Sequence, residues 1–125
     1  MTNQYQFNVS VSTTYLLDQS SEEDNQFVFS YTVKITNVGT IAAQLISRHW
    51  IIMNADNQRH EVKGLGVIGK QPLLQPNENF EYTSGTVLET SVGSMQGSYQ
   101  IVAVDGTTFE VTIPPFTLAV PRTLH

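Results

Sequence analysis

Residues 26–39, QFVFSYTVKITNVG, repeat with a period of two. Phe27, Phe29, Tyr31, Val33 and Ile35 fall on one parity, and Val28, Ser30, Thr32, Lys34 and Thr36 on the other. Successive side chains of an extended chain point to opposite faces, so the first set lines a core and the second is largely wet. Asn37 and Gly39 then supply the turn chemistry that ends the strand. No other feature constrains the fold as much, because the same period returns along most of the chain.

Phe7, Val9 and Val11 alternate with Asn8, Ser10 and Ser12. Phe80 and Tyr82 resume the alternation, Met95, Tyr99, Ile101 and Ala103 share a phase, and so do Phe109, Val111 and Ile113. The segment AAQLISRHWIIMN is apolar on both parities, which predicts a central strand covered on much of both faces. There Ile46, Trp50 and Ile52 are expected on one face, and His49, Ile51 and Met53 on the other. NADNQ reads as a hairpin turn with HEVKG as the returning strand, and Asp105-Gly106 marks a second hairpin that needs positive φ. Beyond the double proline, Leu118 and Val120 are expected to dock on the core, since exposing them wastes burial. About seven or eight strands with close turn signals and no amphipathic helix predict an all-β fold. The architecture expected is an antiparallel β-sandwich of immunoglobulin-like or fibronectin-III-like type, although a small barrel would give much the same pattern.

The 125 residues suit one domain over 1–125. A chain of that size buries roughly two-thirds of the surface its unfolded form exposes. Cysteine is absent, so neither a disulfide nor a thiolate metal site is available, as suits a reducing compartment. The opening MTNQYQFNVS lacks the basic and apolar regions of a secretory signal. No apolar run approaches the about 18 residues of a membrane span. A soluble, cytoplasmic protein without membrane insertion is expected. Eleven acidic against six basic side chains, a net charge of −5, make a poor electrostatic footprint for nucleic acid.

Residues 63–70, KGLGVIGK, match two phosphate-binding patterns by letter. Gly64, Gly66 and Gly69 make G-x-G-x-x-G, and Gly64, Gly69 and Lys70 make most of a P-loop. Both mechanisms need a helix to open after the glycines, and Pro72 and Pro76 forbid it. Glu89 has the spacing of a ribose-binding acid but follows a strand and turn, and Gln71 stands where a P-loop hydroxyl should reach Mg²⁺. Two readings remain. The glycines serve bends or bulges between strands, or Lys63, Gly64, Gly66, Gly69 and Lys70 form an amide nest that takes a phosphate-containing ligand.

Other chemistry is thinner. His49 and His60 flank the predicted hairpin, but their offset is not a zinc spacing, and His125 is distant in sequence. Glu22, Glu23 and Asp24 cluster on a polar connection that reads as a solvated loop rather than a Mg²⁺ site. Ser84 and Ser94 lie outside any G-x-S-x-G elbow. No catalytic set, cofactor or metal site is expected.

Several blocks together resemble the ApaG family: SRHWII (47–52), KGLGVIGKQPLLQP (63–76), FEYTSG (80–85), GSMQGSYQ (93–100) and IPPFTLAVPRTLH (113–125). The resemblance implies an immunoglobulin-like or fibronectin-III-like sandwich in a bacterial cytoplasmic protein, associated by name with cobalt resistance and magnesium efflux. It also implies protein–protein binding, the role assumed for related domains in F-box proteins and in a protein that interacts with a DNA polymerase. Within the family the glycine loop is discussed as a nucleotide or pyrophosphate site. This chain departs there in having Leu65 where an acidic residue is frequent, and Lys70 at a variable position. A non-enzymatic interaction module with an unknown protein partner is therefore expected, with edge-strand pairing into a homodimer open. A nucleotide-binding or phosphate-sensing protein is the alternative.

Overall fold

The computed structural model describes residues 3–121. His125 and the sequence after Pro121 lie outside the described residues. Eight strands follow one another: β1 Phe7–Tyr15, β2 Phe27–Asn37, β3 Ala43–Asn54, β4 Arg59–Leu65, β5 Leu73–Leu74, β6 Asn79–Leu88, β7 Val92–Ala103 and β8 Thr108–Ala119. One short 3-10 turn, Leu17–Gln19, is the only helical element among the described residues. All strand pairs are antiparallel. They form a three-stranded sheet in the order β1-β2-β6 and a five-stranded sheet in the order β4-β3-β7-β8, with β5 added beside the start of β3. The fold is the expected antiparallel sandwich, and the strand count is within the expected range.

The alternating residues read from the sequence build the core. Phe29, Tyr31, Val33 and Ile35 of β2 face Leu45, Trp50, Met95, Tyr99, Ile101 and Ile113 of the other sheet, all buried. Trp50 is the hub. Its ring lies edge-on to Tyr31 at 5.4 Å, Phe116 at 5.9 Å and Tyr99 at 6.3 Å, the geometry that aromatic quadrupoles favour.

Two bulges break the period, and neither is visible in the alternation alone. In β3, Leu45 opposes Ile101 and Ser47 already opposes Gln100, so Ile46 is an extra residue. Inward parity therefore changes from Leu45 to Arg48, Trp50 and Ile52, which oppose Tyr99, Gly97 and Met95. This corrects the expected face: Leu45 is the fully buried residue, whereas Ile46 is half-buried in the bulge. In β8, Met95 opposes Phe116 and Gly97 opposes Ile113, which inserts one residue at Pro114-Pro115. Proline has no N–H to offer a ladder, and a bulge on an edge strand is where a sheet tolerates it. The strand thus continues past the prolines on shifted parity. Leu118 is buried and Val120 packs against the core.

The Asp105-Gly106 hairpin forms with positive φ at Gly106 alone, where φ is 89°, instead of at both central residues. Glu22, Glu23 and Asp24 are exposed beyond a bridge between Ser21 and Gln26. Asn37 does more than end β2. Its buried amide donates to the carbonyls of Ile41 and Leu74 and accepts from the Gly39 N–H.

Across the core, the hydroxyls of Tyr82 (β6) and Tyr99 (β7) meet at 2.5 Å, joining the two sheets. Burial pushes Tyr82 up to about 12, against the smaller opposing effects of its bond to Tyr99 and of Arg48 nearby. Burial raises Tyr99 further, helped by Tyr82. Both groups hold their protons more tightly folded than unfolded. Their contribution is thus complete below the unfolded value of roughly 10 and is lost as pH climbs through the folded values. Urea midpoints measured at pH 8 and pH 11 should show a smaller alkaline loss for Tyr82→Phe/Tyr99→Phe than for wild type. Tyr82→Phe alone strands the Tyr99 hydroxyl and should cost about 1–3 kcal/mol, with the double variant costing less than the sum of the singles.

Candidate functional site

The glycine segment closes as a two-residue turn. The Val67 N–H donates to the Lys70 carbonyl at 2.8 Å, and the Lys70 N–H returns to the Val67 carbonyl at 2.9 Å. Between them Ile68 and Gly69 have φ of 44° and 78°, the paired positive values of a type I′ turn. Gly69 adopts this without penalty. Ile68 is β-branched, and left-handed backbone costs such a residue on the order of 1–2 kcal/mol, yet its side chain is 55% exposed. Val67, in contrast, is fully buried and pins the base of the turn to the core.

Gly66 answers to two constraints. Its φ is 63°, and a Cβ there would stand 2.3 Å from the Lys70 carbonyl oxygen. Its N–H donates to the Ile46 carbonyl at 2.8 Å, and the Gln71 side-chain amide donates to the same oxygen at 2.9 Å. The bulge of β3 and the glycine turn are therefore one hydrogen-bonded unit. Gly64, one step up β4, opposes Arg48. A Cβ on Gly64 would meet Arg48 Nη1 at 2.8 Å, so the missing side chain is the space in which the guanidinium lies.

Of the five residues suggested by the sequence, the structure brings the three glycines together but gives them different duties. Lys63 is exposed on β4 opposite His49, and Lys70 is exposed at the closing position of the turn. Three amides of the segment, those of Gly66, Val67 and Lys70, are engaged by backbone carbonyls. Those of Ile68 and Gly69 have no backbone acceptor among the described residues.

Arg48 was not among the sequence candidates, and it is the charged residue at the centre of this region. Its Nη1 donates to the carbonyls of Leu65 at 3.1 Å and Gly66 at 2.9 Å. It faces inward because of the Ile46 bulge, at the open flank of the sandwich. There β4 and β6, the free edges of their two sheets, border a groove of about 330 Å³ lined by Arg48, Ile52, His60, Val62, Thr86 and Val87 among others. The opposite flank is closed. Phe109 of β8 packs against Tyr5 and Phe7, and the Tyr5 hydroxyl donates to Asp105 at 2.6 Å.

His49 and His60 lie on opposite faces of the β3–β4 hairpin, because His49 opposes Lys63 while His60 opposes Ile52. His49 Nε2 instead meets Glu61 Oε2 at 2.9 Å on the outer face, and Arg59 completes a triad through Glu61 Oε1 at 2.7 Å. The hydrogen bond from His49, then the charge of Arg59, hold the Glu61 carboxyl below the usual range in spite of some desolvation. No group of three His, Cys, Asp or Glu stands together among the described residues.

The model of the ApaG domain matches residues 17–103. Protein ApaG of Thiobacillus denitrificans is 62% identical over 121 residues, spanning 97% of this chain and 95% of the relative. The chain belongs to the ApaG family. Protein ApaG of Nitrosomonas eutropha is 58% identical over the same shares of both chains. A crystal structure described as that of an ApaA protein from Bordetella pertussis superposes with a TM-score of 0.95 at 51% identity, covering 98% of this chain and all of that one. The resemblance read from the sequence blocks is thereby shown, and the sandwich is the one seen in the Bordetella pertussis structure.

The glycine duties separate by substitution. Gly66→Ala pays both the left-handed backbone and the collision with Lys70. Gly69→Ala has nothing within 4 Å of its added Cβ and pays only the backbone, about 1–2 kcal/mol. Denaturation should rank Gly66→Ala clearly the more damaging. Ile68→Asn, which suits positive φ, should raise stability by about 1 kcal/mol.

Proposed function

We propose that this ApaG-family chain is a non-enzymatic interaction module that receives an extended segment of a protein partner at its open flank. The observation that carries this reading is the asymmetry of the sandwich. All four edge strands have one paired neighbour, but β1 and β8 also pack on each other, whereas among the described residues no strand pairs with the outer edges of β4 and β6, which border a groove. An unpaired edge offers a row of backbone donors and acceptors, which an incoming strand satisfies without any change in fold. Apolar side chains of some size are exposed in the same region: Leu65 at 74%, Val87 at 58% and Ile68 at 55%. The strained backbone of Ile68 supports the reading further, since an exposed residue held there at a cost in stability suits contact with something outside the chain.

Cytoplasmic location fits such a module, and no helix among the described residues is long and apolar enough to cross a membrane. The family's association with cobalt resistance and magnesium efflux then runs through the partner. Pairing of a free edge with its counterpart in a second copy is the homodimeric form of the same reading, checked by sedimentation across a concentration series.

Affinity capture from a bacterial lysate tests the proposal. Wild type should retain specific proteins that Leu65→Lys/Val87→Lys releases, and capture of nothing above background under several conditions would sink it. The second reading, a phosphate-containing ligand at Lys63–Lys70, draws on the Ile68 and Gly69 amides, which have no backbone acceptor among the described residues, and on the two exposed lysines. Calorimetry with pyrophosphate and ATP should then give heat that Lys70→Ala reduces, and silence at millimolar ligand excludes it.

A further inference from the structure

We propose that Arg48 is the recognition residue of the open groove, and that the segment received there carries an aspartate or glutamate whose carboxylate pairs with the Nε and Nη2 edge of the guanidinium. This rests on the interaction-module reading and specifies the chemistry of the partner. Holding the glycine turn uses Nη1 alone, which donates to Leu65 and Gly66. A guanidinium has five N–H donors, so the Nε and Nη2 edge keeps three. None of the three has an acceptor among the described residues, and Arg48 is only half-buried and lines the groove. That edge is the fork that matches a carboxylate with two parallel hydrogen bonds.

Charge points the same way. The chain has eleven carboxylates for six Lys and Arg residues, yet Arg48 forms no ion pair among the described residues, and the part of the groove around it contains no Asp or Glu. Glu61 is one residue away from the groove-facing His60 and Val62, but strand alternation turns it to the outer face, where His49 and Arg59 hold it. A half-buried cation without a counter-ion among the described residues, in an acidic protein, presents positive potential in a groove lined by both apolar and polar side chains. An extended segment laid along β4 would direct every second side chain into that groove. One acidic side chain with apolar neighbours therefore complements Arg48 and the apolar part of the lining, Ile52 and Val62.

Selection from a random heptapeptide display library tests this with an unbiased probe. Wild type should enrich peptides with an acidic residue at one fixed position flanked by apolar residues, and a Glu→Gln exchange in the winning peptide should weaken binding on the order of tenfold. Two variants guard against a folding defect. Arg48→Gln removes the fork but also loosens the turn, whereas Thr86→Glu leaves Arg48 and the turn intact and, on the inward parity of β6 opposite Phe29, places a competing carboxylate in the groove. Both should abolish the acidic preference while near-native spectra persist in Thr86→Glu. Enrichment with no acidic preference, or with a preference that survives Thr86→Glu, overturns the role of Arg48 and leaves the interaction module standing. Absence of any enrichment overturns both. Titration with inorganic phosphate, followed on the Arg48 Nε–H resonance, separates the remaining case. Saturation by phosphate without peptide selection means that the groove takes a free anion, and the acidic-segment proposal then fails.

Discussion

One extra residue in β3 organises this molecule. Without the bulge at Ile46, Leu45 and Trp50 could not both face the core, because they are five residues apart and an unbroken strand would put them on opposite faces. The shift also turns Arg48 inward. A bulge leaves backbone groups out of register, and here the Ile46 carbonyl is met by the Gly66 N–H and the Gln71 amide. Arg48 completes the circuit by bonding the carbonyls of Leu65 and Gly66. Bulge, arginine and glycine turn therefore depend on one another.

That circuit explains the glycines without any nucleotide. Gly64 makes room for a guanidinium, Gly66 lets the chain turn against Lys70 in a left-handed conformation, and Gly69 completes a tight turn. The letters of a phosphate signature arise because close backbone approach demands glycine whatever approaches, whether phosphate, carbonyl or side chain. At the other end of the same sheet, Pro114 and Pro115 lie in a second bulge, so β8 goes on to bury Leu118 where a double proline reads as the end of a strand.

The two flanks of the sandwich differ for equally local reasons. Aromatic packing of Tyr5 and Phe7 on Phe109 draws β1 and β8 together. Among the described residues no ring of β4 meets a ring of β6, and a groove lies between them. The groove, the edges of β4 and β6, and Arg48, which has no ion pair among the described residues, thus coincide on the same side.

Period-two alternation was enough to announce an all-β fold and most of its core, because side-chain direction along a strand is set by covalent geometry and needs no neighbours; turn residues marked both hairpins, and the choice of sandwich over small barrel was made by the pairing of the strands. The sequence blocks were also enough to place the chain in its family. Arg48 was illegible for the complementary reason. Its parity within AAQLISRHWIIMN depends on a bulge, and a bulge is specified by the register of β3 against β7, residues some fifty positions apart. His49 and His60 flank one hairpin and could have been close in space, but the strand pleat puts them on opposite faces. What the chain is made of determined which faces would be buried. Which charged side chain would be caught between the sheets, with no carboxylate among the described residues to meet it there, was decided only when distant strands paired.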